Sequence, residues 1–200
     1  MTTTLEAAKP APPAKHRKRP VLKMVAVIAA VPLVLLATVL LYATTRPDTF
    51  RVQRSTTIKT TPEKVYAIIT DLRRGIEWSP YEQRDPAMKR TISGPAQGVG
   101  ATLEWDGNAD VGAGRMEITS ATPPSKVVLD LEFFRPFACR NVAEYTLEPA
   151  GDSTKVTWAM HGPNLYVGKL MGLFIDMDTM VGTDFETGLA NLKSLAERQN

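Results

Sequence analysis

The chain has 200 residues, 44% apolar and 22% charged, a globular composition with room for one ordinary domain and some extra segments. Its single cysteine, Cys139, excludes an internal disulfide, and its two histidines, His16 and His161, exclude a histidine-based metal centre. Charge is unevenly placed: six of the 24 Lys and Arg but one of the 21 acidic residues fall within residues 1–45, so this stretch carries +5 and the rest −2.

Residues 1–20 are rich in Thr, Ala, Pro and Lys and lack apolar periodicity, which predicts a disordered basic tail. Residues 21–42 then read as a transmembrane helix. The nineteen residues from Met24 to Tyr42 carry no charge, and as a helix they span about 28 Å, the thickness of a bilayer's hydrocarbon core. Lys23 can reach back to the headgroups, and Tyr42 stands where interfacial aromatics belong. Pro32 is tolerated in a membrane helix. The apolar run is longer than that of a signal peptide, and no A-x-A site comes after it, so an uncleaved anchor is expected. The basic cluster "KHRKR" before it, against Arg46 after it, predicts a cytoplasmic N-terminus. The C-terminal domain would then lie outside the bacterial inner membrane, in the periplasm of a Gram-negative cell. A topology signal explains this cluster better than nucleic-acid binding does. The linker, residues 43–48, reaches at most about 20 Å and holds the C-terminal domain close to the membrane.

From Phe50 the pattern changes. "FRVQRSTTI" alternates and reads as a strand. Thr61 followed by Pro62 is a helix start, with Thr as N-cap and Pro in the first turn. Val65, Tyr66, Ile68 and Ile69 form one apolar face. A second short helix and an irregular loop come after it, broken by Gly75, Pro80 and Pro86. Six strand-like runs are next, "KRTISG", "GATLEW", "GRMEITSA", "KVVLDLEFF", "NVAEYTLEPA" and "TKVTWAMHG", separated by turn residues. Their alternation is one-sided. Val127, Leu129, Leu131 and Phe133 oppose Asp130 and Glu132; Val156, Trp158 and Met160 oppose Lys155 and Thr157. One face of an antiparallel sheet is therefore dry and the other wet. From Met171 to Arg198, Phe174, Met177, Val181, Phe185, Gly188, Leu189, Leu192, Leu195 and Ala196 fall on one side of a helix. This stripe predicts a long C-terminal helix across the dry face, with a break near Gly172 or between Asp176 and Gly182. "TDFE" at Thr183 offers a capping box for the second piece.

The element order, together with "TTPEKVYAIITDL", "EWSPYEQRDPAMKRTISGP", "VGAGRMEITSATPPSKVVLDLEF", "VTWAMHGPN" and "KLMGLFIDMDTMVGTDFETGLANLK", resembles the SRPBCC superfamily. That superfamily comprises the START domains, the birch-pollen-allergen proteins and the polyketide cyclase-dehydrase and lipid transport proteins. The resemblance covers Thr49 to Arg198, so the domain is set at residues 49–200, and is strongest to a bacterial branch whose members often carry an N-terminal anchor. It implies an α+β, helix-grip fold in which a curved antiparallel sheet grips the C-terminal helix and the two leave a pocket for an apolar ligand.

With that implication, the dry-face aromatics and the start of the stripe become candidate ligand contacts: Trp78, Tyr81, Trp105, Phe133, Trp158, Phe174, Met177 and Val181. Each also fits a plain core position. Gly188 reads as a place where a larger side chain would fill the space. "WSPYEQRDP" is a candidate lip, with Trp78 and Tyr81 at an entrance and Glu82 and Asp85 on its rim, or else a loop that uses Trp78 as a plug. No triad, nucleophile elbow, phosphate loop or metal-ligand cluster is present. No catalytic residue is assigned; Asp178, near the stripe's centre, and Glu104, on a strand, are the weak candidates for proton transfer, against ordinary salt bridges. No metal and no cofactor are expected.

Three functions compete. The first is a membrane-tethered domain that binds a lipid or other small hydrophobic molecule. The second is a polyketide cyclase- or dehydratase-like enzyme. The third is a cavity-less envelope interaction module.

Overall fold

A computed structural model describes residues 19–198. All but the last two residues of the expected disordered tail lie outside the described residues. Helix α1 runs Arg19–Thr44, with Pro32 inside it. It therefore takes up Ala43 and Thr44, expected in the linker, and leaves residues 45–48 before the first strand. From residue 30 to Tyr42 every side chain except the half-buried Val39 is exposed, leucines and valines included. Among the described residues no helix is long and apolar enough to cross a membrane; side chains at 19–23, 25–27 and 29 lie outside the described set.

From Ala43 onward the chain forms a separate compact unit. Its strands are β1 (Thr49–Ile58), β2 (Lys89–Ser93), β3 (Thr102–Asp106), β4 (Ala113–Thr122), β5 (Lys126–Arg135), β6 (Cys139–Ala150) and β7 (Ser153–Pro163). They make one seven-stranded sheet in the order β1-β7-β6-β5-β4-β3-β2, with every neighbouring pair antiparallel. Between β1 and β2 lie α2 (Pro62–Thr70), a 3-10 turn (Leu72–Arg74), α3 (Gly75–Trp78) and α4 (Pro80–Arg84); after β7 come α5 (Tyr166–Met171) and α6 (Met177–Glu197).

The period-2 pattern becomes a dry concave face. On β6, Asn141, Ala143, Tyr145 and Leu147 are buried while their neighbours are not. Register shifts in β4, at Ala113/Gly114 and Ile118/Ser120, interrupt its pairing with β5 and bend the sheet. Trp105 folds over the first of these: a Cβ at Gly114 would sit 2.6 Å from its ring and 2.4 Å from the Glu132 carbonyl oxygen. Nothing larger than glycine fits there.

At the start of α2, Pro62 stands in the first turn, and Thr61 is extended at φ −78°, ψ 154°. The Thr61 side chain makes no capping bond, so the fixed φ of Pro62 starts this helix. The C-terminal segment breaks at the earlier of the two expected places: α5 ends at Met171, and α6 begins at Met177, capped by Asp176, whose carboxylate accepts from the Thr179 amide at 3.1 Å. Two expectations fail as a result. Phe174 is not on the α6 stripe but in the connection between helices, where it is 79% exposed. Thr183 does not cap a helix; it lies inside α6, and its hydroxyl donates to the Thr179 carbonyl at 2.7 Å.

The remaining stripe, Val181, Phe185, Gly188, Leu189, Leu192, Leu195 and Ala196, is buried. It packs on β1, β7 and the short helices α2, α3 and α4. Arg54 of β1 fastens the outer side of α6, donating to Asp178 Oδ2 at 2.9 Å and to Glu186 Oε1 at 2.8 Å. Because α6 lies toward the β1 edge of the sheet, the dry faces of β3, β4 and β5 are not capped by it. The main core runs from Val52 to Ala196 and is drawn wholly from this unit.

Candidate functional site

The uncapped part of the concave face is a cavity of about 1040 Å³. Its floor is Leu103 and Trp105 of β3, Met116 of β4, Leu129, Leu131 and Phe133 of β5, and Ala143 and Tyr145 of β6. Its side walls come from α3, α4 and the first half of α6. Its rim is formed by the β5–β6 turn, α5 and the α5–α6 connection, with Arg46 and Pro47 beside them.

All eight candidate contact residues border this cavity, in three different ways. Trp78, Trp158 and Val181 are buried wall. Trp158 stacks on Phe185 with ring centroids 4.1 Å apart and meets Trp78 edge-on at 5.8 Å. Trp105 is also buried, meets Phe133 edge-on at 5.5 Å, and donates its indole N–H to the Val111 carbonyl at 3.4 Å. Tyr81 and Met177 are half-buried and pack against the core, and Phe174 stands on the rim. Gly188 does not leave space. A Cβ there would lie 2.7 Å from the Trp158 ring and 3.0 Å from Pro80 Cδ, so the glycine exists to let Trp158 and Pro80 touch the helix.

The lip takes the second of its two expected forms, though its acids are not simply exposed. Trp78 is a plug, packed edge-on against Tyr145 at 6.1 Å as well as Trp158. Glu82 is not on a rim: its carboxylate is 9% exposed and bound by Arg90. Asp85 accepts from the Asn108 amide at 2.7 Å and organises the β3–β4 loop. Of the two proton-transfer candidates, Glu104 points to the wet face, toward Arg115 at 3.8 Å, and does not border the cavity. Asp178 borders it but is 60% exposed and paired with Arg54, so it holds a salt bridge rather than sitting as an acid enclosed in an apolar pocket.

Polar groups also reach the cavity, several of them from residues the sequence did not single out as contacts. Asp184, with a side chain 9% exposed, is bound by Arg84, whose guanidinium carbon lies 5.7 Å from the Tyr81 ring centroid. Burial pushes the Tyr81 phenol well above its ordinary pKa; the Asp184 carboxylate adds to this and Arg84 opposes it. Tyr145 is pushed up by burial and then by Tyr81. Both phenols therefore stay protonated across the physiological range and are available as donors. The indole nitrogens of Trp78 and Trp158 and Oδ1 of Asn141 are buried without a hydrogen-bond partner among the described residues. Each such group costs about 1–3 kcal/mol; the edge-on ring contacts of Trp78 offset part of this. The alternation on β6 was the signal for Tyr145. Nothing local signals the Arg84–Asp184 pair, whose members are 100 residues apart. Among the described residues no group of three His, Cys, Asp or Glu side chains is placed to hold a metal.

The ion pair is asymmetric, since the Arg84 side chain is 44% exposed. Arg84→Ala strands a buried carboxylate and is expected to cost about 3 kcal/mol. Asp184→Asn strands only a half-exposed guanidinium and is expected to cost about 1 kcal/mol or less. Urea denaturation of the two variants checks the order; equal costs would mean that the carboxylate is hydrated.

A curved antiparallel sheet gripping a long C-terminal helix over an apolar cavity defines a helix-grip domain. Residues 49–197 match the family described as polyketide cyclase / dehydrase and lipid transport, and the chain belongs to that family. Solved structures agree on the fold. A Mesorhizobium loti protein, MLL2253, is 19% identical with a TM-score of 0.53 over 76% of this chain and 99% of its own. Ara h 8.0201 is 10% identical with a TM-score of 0.53 over 74% and 97%. The di-domain ARO/CYC BexL from the BE-7585A biosynthetic pathway is 14% identical with a TM-score of 0.54 over 78% of this chain and 53% of its own. No functionally curated protein matches the chain.

Proposed function

We propose that this protein is a membrane-tethered domain that binds a lipid or another small hydrophobic molecule between its sheet and α6. The observation that carries the reading is the cavity of about 1040 Å³ over the dry face of the sheet, walled on one side by α6. A filled core, as an interaction module without a cavity requires, would have left no such space. Enclosing a twelve-carbon chain would supply on the order of 10 kcal/mol of transfer free energy before ordering costs, enough for useful affinity.

The tether rests on the uncharged run from Met24 to Tyr42 and on the exposed leucines and valines of α1. Such a surface is stable in lipid and a liability in water. The basic residues before it and the lone Arg46 after it favour a single-pass arrangement in the bacterial inner membrane. The N-terminus is then cytoplasmic and the domain lies on the far, periplasmic side.

Native mass spectrometry tests the cavity. The domain (residues 43–200), purified without detergent, should carry an extra mass of a few hundred daltons that denaturation releases. A ligand-free mass, together with no uptake of anilinonaphthalene sulfonate, would end the reading.

A second reading, a cyclase- or dehydratase-like enzyme, is favoured by one observation: Tyr81, Tyr145 and the Arg84–Asp184 pair border an otherwise largely apolar cavity. Phenolic donors there can hold a ketone or enol oxygen while the wall folds the rest of a polyketide. Gene neighbours for polyketide synthesis, and turnover lost in Tyr81→Phe with binding retained, would separate this reading from simple binding.

A further inference from the structure

We infer that the rim of the cavity is a membrane-contacting surface, seated on the lipid headgroup and acyl boundary, through which the ligand enters from the bilayer instead of from water. The contact surface rests on the membrane anchor of the reading above, and the entrance route rests on its cavity as well.

The first is what the rim exposes. Phe137 of the β5–β6 turn, Leu165 and Val167 around α5, Phe174 and Ile175 of the α5–α6 connection, and Met180 of α6 are all exposed, and all border the cavity. Water-facing surfaces scatter single apolar residues, whereas this set surrounds one opening. The fold does not need these side chains: α5 has no buried residue at all.

The second is where the chain places that opening. Helix α1 ends at Thr44, and the rim begins at Arg46. Two residues reach about 7 Å, so covalent connection alone keeps the rim close to the C-terminal end of α1, whatever angle α1 takes. The chain leaving α1 is also fastened to the α5 end of the rim. The Asn164 side-chain amide donates to the Pro47 carbonyl at 3.1 Å, and the Asn164 backbone amide donates to the Asp48 carbonyl at 2.7 Å. Lys169 of α5 pairs with the Asp48 carboxylate.

These two facts select the occupant. An apolar ring held within a few residues of a helix that leaves a bilayer meets lipid at far higher effective concentration than any soluble partner. Aromatic and branched aliphatic side chains at that level are what interfacial insertion uses.

The domain alone suits the test, because its core is drawn wholly from residues 52–196. Residues 43–200 are mixed with phosphatidylcholine vesicles and pelleted, beside a variant carrying Phe137→Ser, Ile175→Ser and Met180→Ser. The wild-type domain should pellet with vesicles, and the variant should lose at least tenfold in bound fraction with an unchanged thermal melt. Uptake of an anthroyloxy-labelled fatty acid from vesicles should slow at least tenfold in the variant, while its affinity in vesicle-free buffer stays the same. If the triple variant melts early, Leu165→Ser with Val167→Ser gives the same comparison. A wild-type domain that stays in the supernatant, or a variant that pellets equally, overturns the inference. So does self-association abolished by the same changes without vesicle binding, which would make the rim a contact between copies. No probe uptake in vesicle-free buffer overturns the cavity reading and the entrance route, and pelleting then still decides the contact surface.

Discussion

Phe185→Ala should cost the domain about 3–5 kcal/mol. Its side chain is 1% exposed and lies flat on Trp158, between the helix and the sheet. Removing it leaves a hole under a tryptophan whose other neighbours, Trp78 and Tyr145, meet it at an angle, so the ring cannot slide over to close the gap. Phe174→Ala is the matched control. The two phenylalanines appear on one apolar stripe in the sequence, yet Phe174 is in a connection and exposed, and its removal should change stability by less than about 0.5 kcal/mol. Urea denaturation of both variants measures the contrast, and a loss below about 1 kcal/mol for Phe185→Ala would contradict the stacked core.

Leu131→Trp combined with Met116→Trp should abolish ligand capacity while sparing the fold. The two residues pair across β4 and β5, both face the cavity, and both are half-buried. Added indoles therefore extend into empty space instead of into packed neighbours. The stability change should stay within about 1–2 kcal/mol, below the worst overpacking in filled cores. Affinity for anilinonaphthalene sulfonate should fall at least tenfold, equivalent to about 1.4 kcal/mol, and any co-purified mass should vanish from the native spectrum. An unchanged bound mass would place the ligand elsewhere on the protein.

The sheet was legible because one of its faces is dry, which forces alternation on each long strand. Val127, Leu129, Val156 and Trp158 are buried where that alternation placed them. The stripe of α6 was legible for the same reason from Val181 onward. Its N-terminal part was misread because apolar residues also serve the rim: Phe174 continues the period by coincidence, while Asp176 has already capped the helix. Gly188 was misread because a missing side chain signals either a void or a close neighbour, and only the position of Trp158 decides which. Glu104 obeys its strand's alternation and faces the wet side. The polar groups of the cavity were less legible. Tyr145 could have been found by extending the dry face of β6, but the pairing of Arg84 with Asp184 is a product of tertiary structure.

Helix α5 has no buried side chain and is held by Asn164 and by the Lys169–Asp48 pair. Such an element gives the cavity a wall with little apolar packing behind it. The far wall is backed by interlocked indoles and a phenylalanine. A guest bound as proposed would meet uneven discrimination along its length: strict on shape at the aromatic end, loose on length at the opposite end. A homologous series of chains differing only in tail length should bind with nearly flat affinity, whereas branching at the leading end should not be tolerated.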